Sequence, residues 1–292
     1  MASLIEVRKK IQSTQNTRKI TQAMQLVAAS RMKGFQRKAM STRAYAKGLL
    51  DLLSQNDGPV SEGRYAKANL DRPVLFVLVT SDKGLCGSLN ARLIRELFQS
   101  DAWKSLSADQ RMLITIGRKS REAARNIGVK PAHSFEGVRE DLDTLAALEI
   151  IDTILGYWDR GECQEIRLVA PEYVNAFVFH TRIKAYLPLG KSMLESHALQ
   201  APNTEFADGL IHEPSSERVA EALATQIIQA LFMHAFFELK ACEYSSRMVA
   251  MKSATDAAGE LGRTLTIEYN KARQAKITQE LAEISGAVVA MA

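Results

Sequence analysis

The run Thr80-Ser-Asp-Lys-Gly-Leu-Cys-Gly-Ser-Leu-Asn90 sets two glycines and a lysine between an apolar segment and a helical one, the setting in which backbone amides cradle a phosphate. The spacing does not follow through. Gly84 and Gly87 stand alone and no lysine-serine or lysine-threonine pair comes after them, so neither the dinucleotide fingerprint nor the phosphate loop is matched. The run reads as a tight turn with Asp82 and Lys83 at a domain surface, with nucleotide binding as the sharper alternative. His133, His180, His197, His212 and His234 are scattered, and no pair has metal-ligand spacing. Cys86, Cys163 and Cys242 are widely separated and form no paired motif, so they read as reduced thiols rather than as a disulfide frame or a zinc site. Asp256, in Ala-Thr-Asp, is a candidate carboxylate but reads first as a solvated helix position. No nucleophile, base and orienting acid can be assembled, and the expectation is a chain without a catalytic, cofactor or metal site.

The elements that would position such residues are unusual at both ends. All seven prolines fall between Pro59 and Pro214, leaving long proline-free stretches on either side. One uninterrupted helix over the last third would be on the order of 110 Å long at about 1.5 Å per residue. At the front, Leu4, Val7 and Ile11, then Ile20, Met24 and Val27, keep the three-and-four spacing of a coiled-coil face, while Gln12 to Lys19 contains no apolar residue. The Gln55-Asn-Asp-Gly-Pro59 run stops this helix. Pro214-Ser215-Ser216-Glu217 starts the second one, with a polar cap and an acid in the first turn. Its stripe runs through Leu223, Ile227, Leu231, Ala235 and Leu239, then Met248, Met251, Thr255 and Ala258, and finally Ile277, Leu281, Ile284 and Val288. Gly259 and Gly262 interrupt it and predict local weakening or a close helix approach. Matching stripes predict that the two ends pack antiparallel.

The middle reads as α/β. Val74 to Thr80 is a continuous apolar run, Arg111 to Gly117 and Glu165 to Ala170 are shorter ones, and Phe177 to Leu187 reads as an edge strand. Helical stretches at Leu89 to Phe98, Ser120 to Asn126 and Asp141 to Trp158 separate them, which predicts a mainly parallel, Rossmann-like sheet covered on both faces. Gln200 to Pro214 reads as a loop. The division is therefore an N-terminal coiled-coil helix over 1–58, an α/β domain over 59–214 and a C-terminal coiled-coil helix over 215–292.

The composition, 46% apolar and 24% charged, is ordinary for a soluble protein. Ile227 to Phe237, interrupted by Gln229 and His234, is too short to cross a bilayer, and the front lacks an apolar signal core and carries Glu6, so a cytoplasmic setting is expected. Net charge is +5, yet eleven cations and no acid lie between Val7 and Leu50. Such a one-sign field implies an acidic partner. Nucleic acid would be one, but only Phe35 and Tyr45 interleave the cations and no recognised nucleic-acid motif follows, so an acidic protein surface explains the charge equally well. After Glu283 no charge remains in Ile-Ser-Gly-Ala-Val-Val-Ala-Met-Ala292, a small apolar tip that would suit a sleeve in which no single angle is favoured; a frayed end is the plainer alternative.

Taken together these residues resemble the gamma subunit of the F-type ATP synthase, over essentially the whole chain. The resemblance is carried by Ile11-Gln-Ser-Thr-Gln-Asn-Thr-Arg-Lys-Ile-Thr-Gln-Ala-Met24, Val27-Ala-Ala-Ser-Arg-Met32, Ser81-Asp-Lys-Gly-Leu-Cys-Gly87, Arg247-Met-Val-Ala-Met-Lys-Ser-Ala-Thr-Asp256 and Tyr269-Asn-Lys-Ala-Arg-Gln-Ala-Lys-Ile-Thr-Gln-Glu280. Ser88 and Ala257 stand where the family usually has glycine and asparagine, and Phe232 to Phe237 is unusually aromatic. The resemblance implies a non-catalytic rotor stalk of a proton-translocating complex, its coiled coil inside a hexamer of alpha and beta subunits and its α/β domain against the epsilon subunit and the c-ring. It implies no cofactor and no nucleic acid, membrane association only through the complex, and a place on the cytoplasmic face of a bacterial inner membrane. Residue by residue, it implies that Arg247, Arg273, Gln274 and Thr278 make polar contacts with the catalytic subunits, that Glu243 supports that network, and that Met24 is sensitive to added charge.

Overall fold

The computed structural model describes residues 4–55, 63–190, 193, 213 and 215–291. The chain forms two units, one joining Met1–Ala29 to Arg247–Ala292 and the other running Ser30–Ser246. Two helices belong to both: α1 (Leu4–Gln55), and α6 (Ser216–Met291). The residues proposed to stop α1 after Gln55, the Gln200 to Pro214 loop apart from Glu213, and the side chain of Val288 lie outside the described residues. At the start of α6 the cap is as the sequence predicts: the Arg218 amide donates to Ser215 Oγ at 3.4 Å, and Glu217 sits in the first turn.

Within Ser30–Ser246 the strands β1 (Val74–Val79), β2 (Arg111–Ile116), β3 (His133–Phe135), β4 (Glu165–Tyr173) and β5 (Phe179–Leu187) form one sheet in the order β3-β2-β1-β4-β5. The first four are mutually parallel, and β5 closes the edge antiparallel to β4. All six residues of β1 are buried, so both faces of the sheet are covered there, as its unbroken apolar run requires. The helices α2 (Leu89–Gln99), α3 (Asp101–Lys104), α4 (Arg118–Ile127) and α5 (Thr144–Asp159) fill the connections. The side chain of Asp143 caps α5 by accepting from the Ala146 amide at 2.8 Å, which moves its start three residues past the predicted Asp141. The strand β3 was not expected, because three residues of which two are polar carry no apolar periodicity.

The turn from β2 into α4 needs glycine. Gly117 has φ 95°, and a Cβ there would lie 2.2 Å from the Thr80 carbonyl oxygen. That approach lets the Thr80 amide donate to the Ile116 carbonyl at 2.8 Å and Thr80 Oγ1 accept from the Ser120 amide at 2.8 Å. The carboxyl ends of β1 and β2 are thereby held together, and the loops that follow them are set.

One 18-residue window of α6 is apolar enough to cross a membrane by length and composition alone, with mean hydropathy 1.3. Of that window 56% is buried within the protein, as in a core helix. The Ser216–Ser246 part of α6 is also less one-sided than its predicted stripe. Ile227, Ile228, Leu231, Phe232, Phe236, Phe237 and Leu239 are all buried, and they span more than one face.

Candidate functional site

In the unit of Met1–Ala29 and Arg247–Ala292 the two helices run antiparallel. Thr255 Oγ1 donates to Thr21 Oγ1 at 2.7 Å, Gly259 faces Arg18, and Gly262 faces Thr14. The seam follows a heptad spacing. On α1 it takes Val7, Thr21 and Ala28, all buried, with Leu4, Ile11, Thr14 and Gln25 half-buried between them. On α6 it takes Met248, Met251, Thr255, Ala258, Gly262, Leu265 and Tyr269. This corrects the predicted face at two positions. Ile20 is 61% and Val27 is 60% exposed, and the neighbouring Thr21 and Ala28 are inside instead. Counting by heptads from Val7 arrives at Thr21 and Ala28, and small or hydroxyl side chains suit the opposing Thr255, Ala258 and Gly262. The polar stretch from Gln12 to Lys19 is thus tolerated because its partner surface is made of glycine, alanine and threonine.

The glycines do not mark an exceptionally close approach. A Cβ on Gly259 would meet Arg18 Nε at 3.6 Å, and one on Gly262 would meet Thr14 Cγ2 at 3.9 Å, both ordinary contacts.

Facing residues on the two helices have numbers that sum to 276 or 277, so Leu4 lies level with about Ala272. Beyond that point α6 has no partner helix among the described residues. Ile277, Leu281 and Ile284 are 48%, 59% and 63% exposed, which corrects the expectation that they complete an internal stripe. Arg273, Gln274 and Thr278 are on this stretch and exposed, and the Thr278 hydroxyl is turned back onto the Gln274 carbonyl at 3.0 Å. In the same unit Met24 is half-buried and Arg247 is buried.

The unit of Ser30–Ser246 holds Glu243, which the family resemblance singled out, and two charged residues beside it, Glu238 and Lys240, which sequence reading did not. All three are buried on α6. Lys240 Nζ is 3.1 Å from Glu243 Oε2, which places Glu243 in an internal ion pair within this unit. Glu238 is bound by Arg43 of α1, whose guanidinium also donates to the Tyr173 carbonyl at 2.7 Å, and His234 Nε2 stands 3.4 Å from the same carboxylate. Burial raises the Glu238 carboxyl above its usual range against the pull of Arg43. The signal for this group was present in the sequence: three charges inside an otherwise apolar helical run need partners.

At the carboxyl ends of the strands the glycine-bearing loop is closed by its own side chains. Asn90 Nδ2 donates to Ser81 Oγ at 2.8 Å, the Ser81 hydroxyl donates to the Lys83 carbonyl at 2.8 Å, and Leu85 and Gly87 take positive φ. Lys83 reaches Glu140 at 3.6 Å, and Tyr244 donates to Glu140 at 2.6 Å. Nothing in the sequence of the Gly137-Val-Arg-Glu140 loop pointed to that carboxylate. All three cysteines are free and buried, and burial pushes the Cys163 thiol up to about 12 and Cys242 higher still, so neither is a thiolate at neutral pH. Among the described residues no group of three or more histidine, cysteine or acidic side chains could hold a metal ion.

One unit thus leaves an exposed apolar and polar extension of α6, and within the other, ion pairs hold a loop of the sheet to α1. Comparisons with known proteins identify the family. The chain matches the ATP synthase family over residues 3–291. It is 33% identical to the ATP synthase gamma chain of Acinetobacter baumannii over 296 residues and 35% identical to that of Desulfitobacterium hafniense over 295, each covering 100% of both chains. Among solved structures it resembles a chain of the Euglena gracilis mitochondrial ATP synthase OSCP/F1/c-ring assembly, with TM-score 0.68 and 20% identity over 99% of this chain and 94% of that one. It also resembles a chain of the Tetrahymena thermophila mitochondrial ATP synthase central stalk and c-ring, with TM-score 0.60 and 24% identity over 80% of this chain and 99% of that one. The resemblance read from the sequence motifs is borne out: the chain belongs to the gamma-chain family of ATP synthases.

Proposed function

We propose that this chain performs no chemistry of its own and transmits torque between an ion-driven c-ring and a catalytic hexamer of alpha and beta subunits, with the epsilon subunit and the c-ring as its other partners. Carrying the reading is the length of α6 beyond about Ala272, where Arg273, Gln274, Ile277, Thr278, Leu281 and Ile284 are all exposed. A helix stretch displaying apolar and polar side chains with no partner of its own is covered by another protein.

An asymmetric shaft touches otherwise equivalent catalytic subunits differently, so each angle assigns different free energies to their open and closed states. Linkage makes the coupling reciprocal, so rotation changes nucleotide affinity and hydrolysis drives rotation. In this reading Arg247, Arg273, Gln274 and Thr278 are the polar contacts with the catalytic subunits, Glu243 supports them, and Met24 lies where an added charge disturbs them. The cations of α1 answer acidic surfaces of the same subunits. The complex places the chain on the cytoplasmic face of a bacterial inner membrane, as a peripheral subunit.

The test is co-expression with alpha and beta subunits from the same source and observation of a bead on Lys130→Cys, an exposed position, since Cys86 is only 2% exposed. Stepwise ATP-dependent rotation is expected. A chain that never joins the hexamer would overturn the reading.

A further inference from the structure

Glu140 lies in the loop between β3 and α5, with its side chain 29% exposed, and it meets three other segments of the same unit. Its Oε2 accepts from Tyr244 Oη of α6 at 2.6 Å and lies 3.8 Å from Arg31 of α1, while Oε1 is 3.6 Å from Lys83 in the loop after β1. Tyr244 in turn lies flat on Phe35 of α1, with ring centroids 5.4 Å apart and planes 5° from parallel. Partial burial acts to raise the Glu140 carboxyl, but the Tyr244 hydrogen bond and the fields of Lys240, Lys83 and Arg31 outweigh it and hold the group below its usual range.

The loop that carries Glu140 is itself stitched to the strand ends. Asp82 Oδ1 accepts from the Gly137 amide at 3.2 Å and from the Arg118 amide at 2.9 Å. Next to this stitching the loops and α6 leave a gap between them. An open cleft of about 320 Å³ separates them, lined by Lys83, Val138, Glu140, Lys240 and Glu243 among others. Across this cleft the Glu140 carboxylate reaches both α6 and α1.

We propose that Glu140 is a positioning residue for torque transmission: its carboxylate keys α6, through Tyr244, and α1, through Arg31, to the loops at the carboxyl edge of the sheet, and so sets the torsional stiffness of the mount. The proposal rests on the rotor reading. Where a joint is closed by one hydrogen-bonded, multiply paired carboxylate over a cleft, removing that charge loosens the angle without emptying a core. The exposed Lys38–Asp141 pair, 3.2 Å apart, also links α1 to this loop, but its side chains are 47% and 70% exposed, and water replaces it at little cost.

The experiment uses the assembled complex with the hexamer fixed and the bead on Lys130→Cys, reading the width of angular fluctuations during the pauses of ATP-driven rotation. Glu140→Gln and Tyr244→Phe are each expected to raise the angular variance about twofold, and the double variant no further, because both act on one tie. The melting temperature of the isolated chain should change little, and Asp141→Asn should leave the variance at the wild-type value. Unchanged variance in both single variants overturns the proposal, and so does a rise that only follows a falling melting temperature. If Glu140→Gln complexes do not assemble, Tyr244→Phe, which removes a single hydroxyl, decides alone. Wild-type complexes that do not rotate overturn the rotor reading itself, whereas a rotating wild type with unaltered variants removes only the role of Glu140.

Discussion

Thr21 and Thr255, one on each helix of the antiparallel pair, share a 2.7 Å hydroxyl-to-hydroxyl hydrogen bond at a place where each is only 9% exposed. The Thr21 hydroxyl passes its own proton to the Arg18 carbonyl at 3.0 Å, so the pair is satisfied without water. A coiled-coil seam with such a contact in place of leucines is weaker per heptad but fixed in register.

Thr21→Val should therefore cost no more than about 1 kcal/mol, because it removes the bond between the helices while the Thr255 hydroxyl still donates to the Met251 carbonyl, 2.8 Å away. Thr21→Val with Thr255→Val should cost less than the sum of the single changes, by roughly 0.5–1.5 kcal/mol, since each single change already loses the one bond the two hydroxyls share. Denaturant unfolding of the four chains completes the cycle. Strict additivity would show that the hydroxyl pair contributes nothing to the seam.

The glycines give opposite expectations at two places. Gly259→Ala and Gly262→Ala introduce a Cβ that meets only ordinary contacts, at 3.6 and 3.9 Å, in the interior of α6. Each should stabilise the chain by roughly 0.5–1 kcal/mol through helix propensity alone. Gly117→Ala would place its Cβ 2.2 Å from a backbone oxygen at φ 95° and should cost at least about 3 kcal/mol. Melting curves on the three variants separate these outcomes, and destabilisation by Gly262→Ala would mean that the helices approach more closely than described.

Arg43→Met tests the buried carboxylate of Glu238. The guanidinium is 49% exposed while Glu238 is 3% exposed, so the loss should be roughly 2 kcal/mol, below the ~3–5 kcal/mol of a fully buried pair. The pH dependence follows from the raised pKa of Glu238, caused first by burial. A carboxyl raised in the folded state binds its proton there more readily than in the unfolded chain. Its contribution is fully present below the ordinary carboxylate pKa and is lost as pH rises through the folded value. Stability should fall with rising pH across that window, and Arg43→Met should extend the window upward. Glu238→Gln should flatten it. Unfolding curves taken at successive pH values read all three slopes, and an unchanged slope in Glu238→Gln would assign the dependence to another group.

How much of this could be read from the sequence depends on whether a residue answers to its neighbours along the chain or across it. The apolar run Val74 to Thr80 and the proline-free ends were legible because strand burial and helix continuity are local properties. The choice of Thr21 over Ile20 for the seam was not, because it is made by the size of Thr255 and Ala258 on a helix more than two hundred residues away. Glu140 was invisible for the same reason: its partners Arg31, Lys83 and Tyr244 come from three separate segments. Arg273, Gln274 and Thr278 were reached only through motif resemblance, since an exposed residue whose partner is another protein leaves no internal pattern in its own chain.

That last group supports the most direct separation of a contact role from a structural one. Arg273, Gln274 and Thr278 are exposed, and the Thr278 hydroxyl donates to the Gln274 carbonyl within its own helix. Arg273→Ala, Gln274→Ala and Thr278→Ala should each leave the unfolding free energy of the isolated chain within about 0.5 kcal/mol of wild type, as exposed substitutions do. In the assembled complex they should lower ATP-driven torque. Met24→Lys places a charge at a half-buried position of α1 and should reduce ions pumped per ATP hydrolysed while assembly is largely kept. If torque and pumping are unchanged in all four variants, the polar face of α6 is not where the hexamer grips the shaft, and the exposed apolar side chains Ile277, Leu281 and Ile284 become the contacts to test.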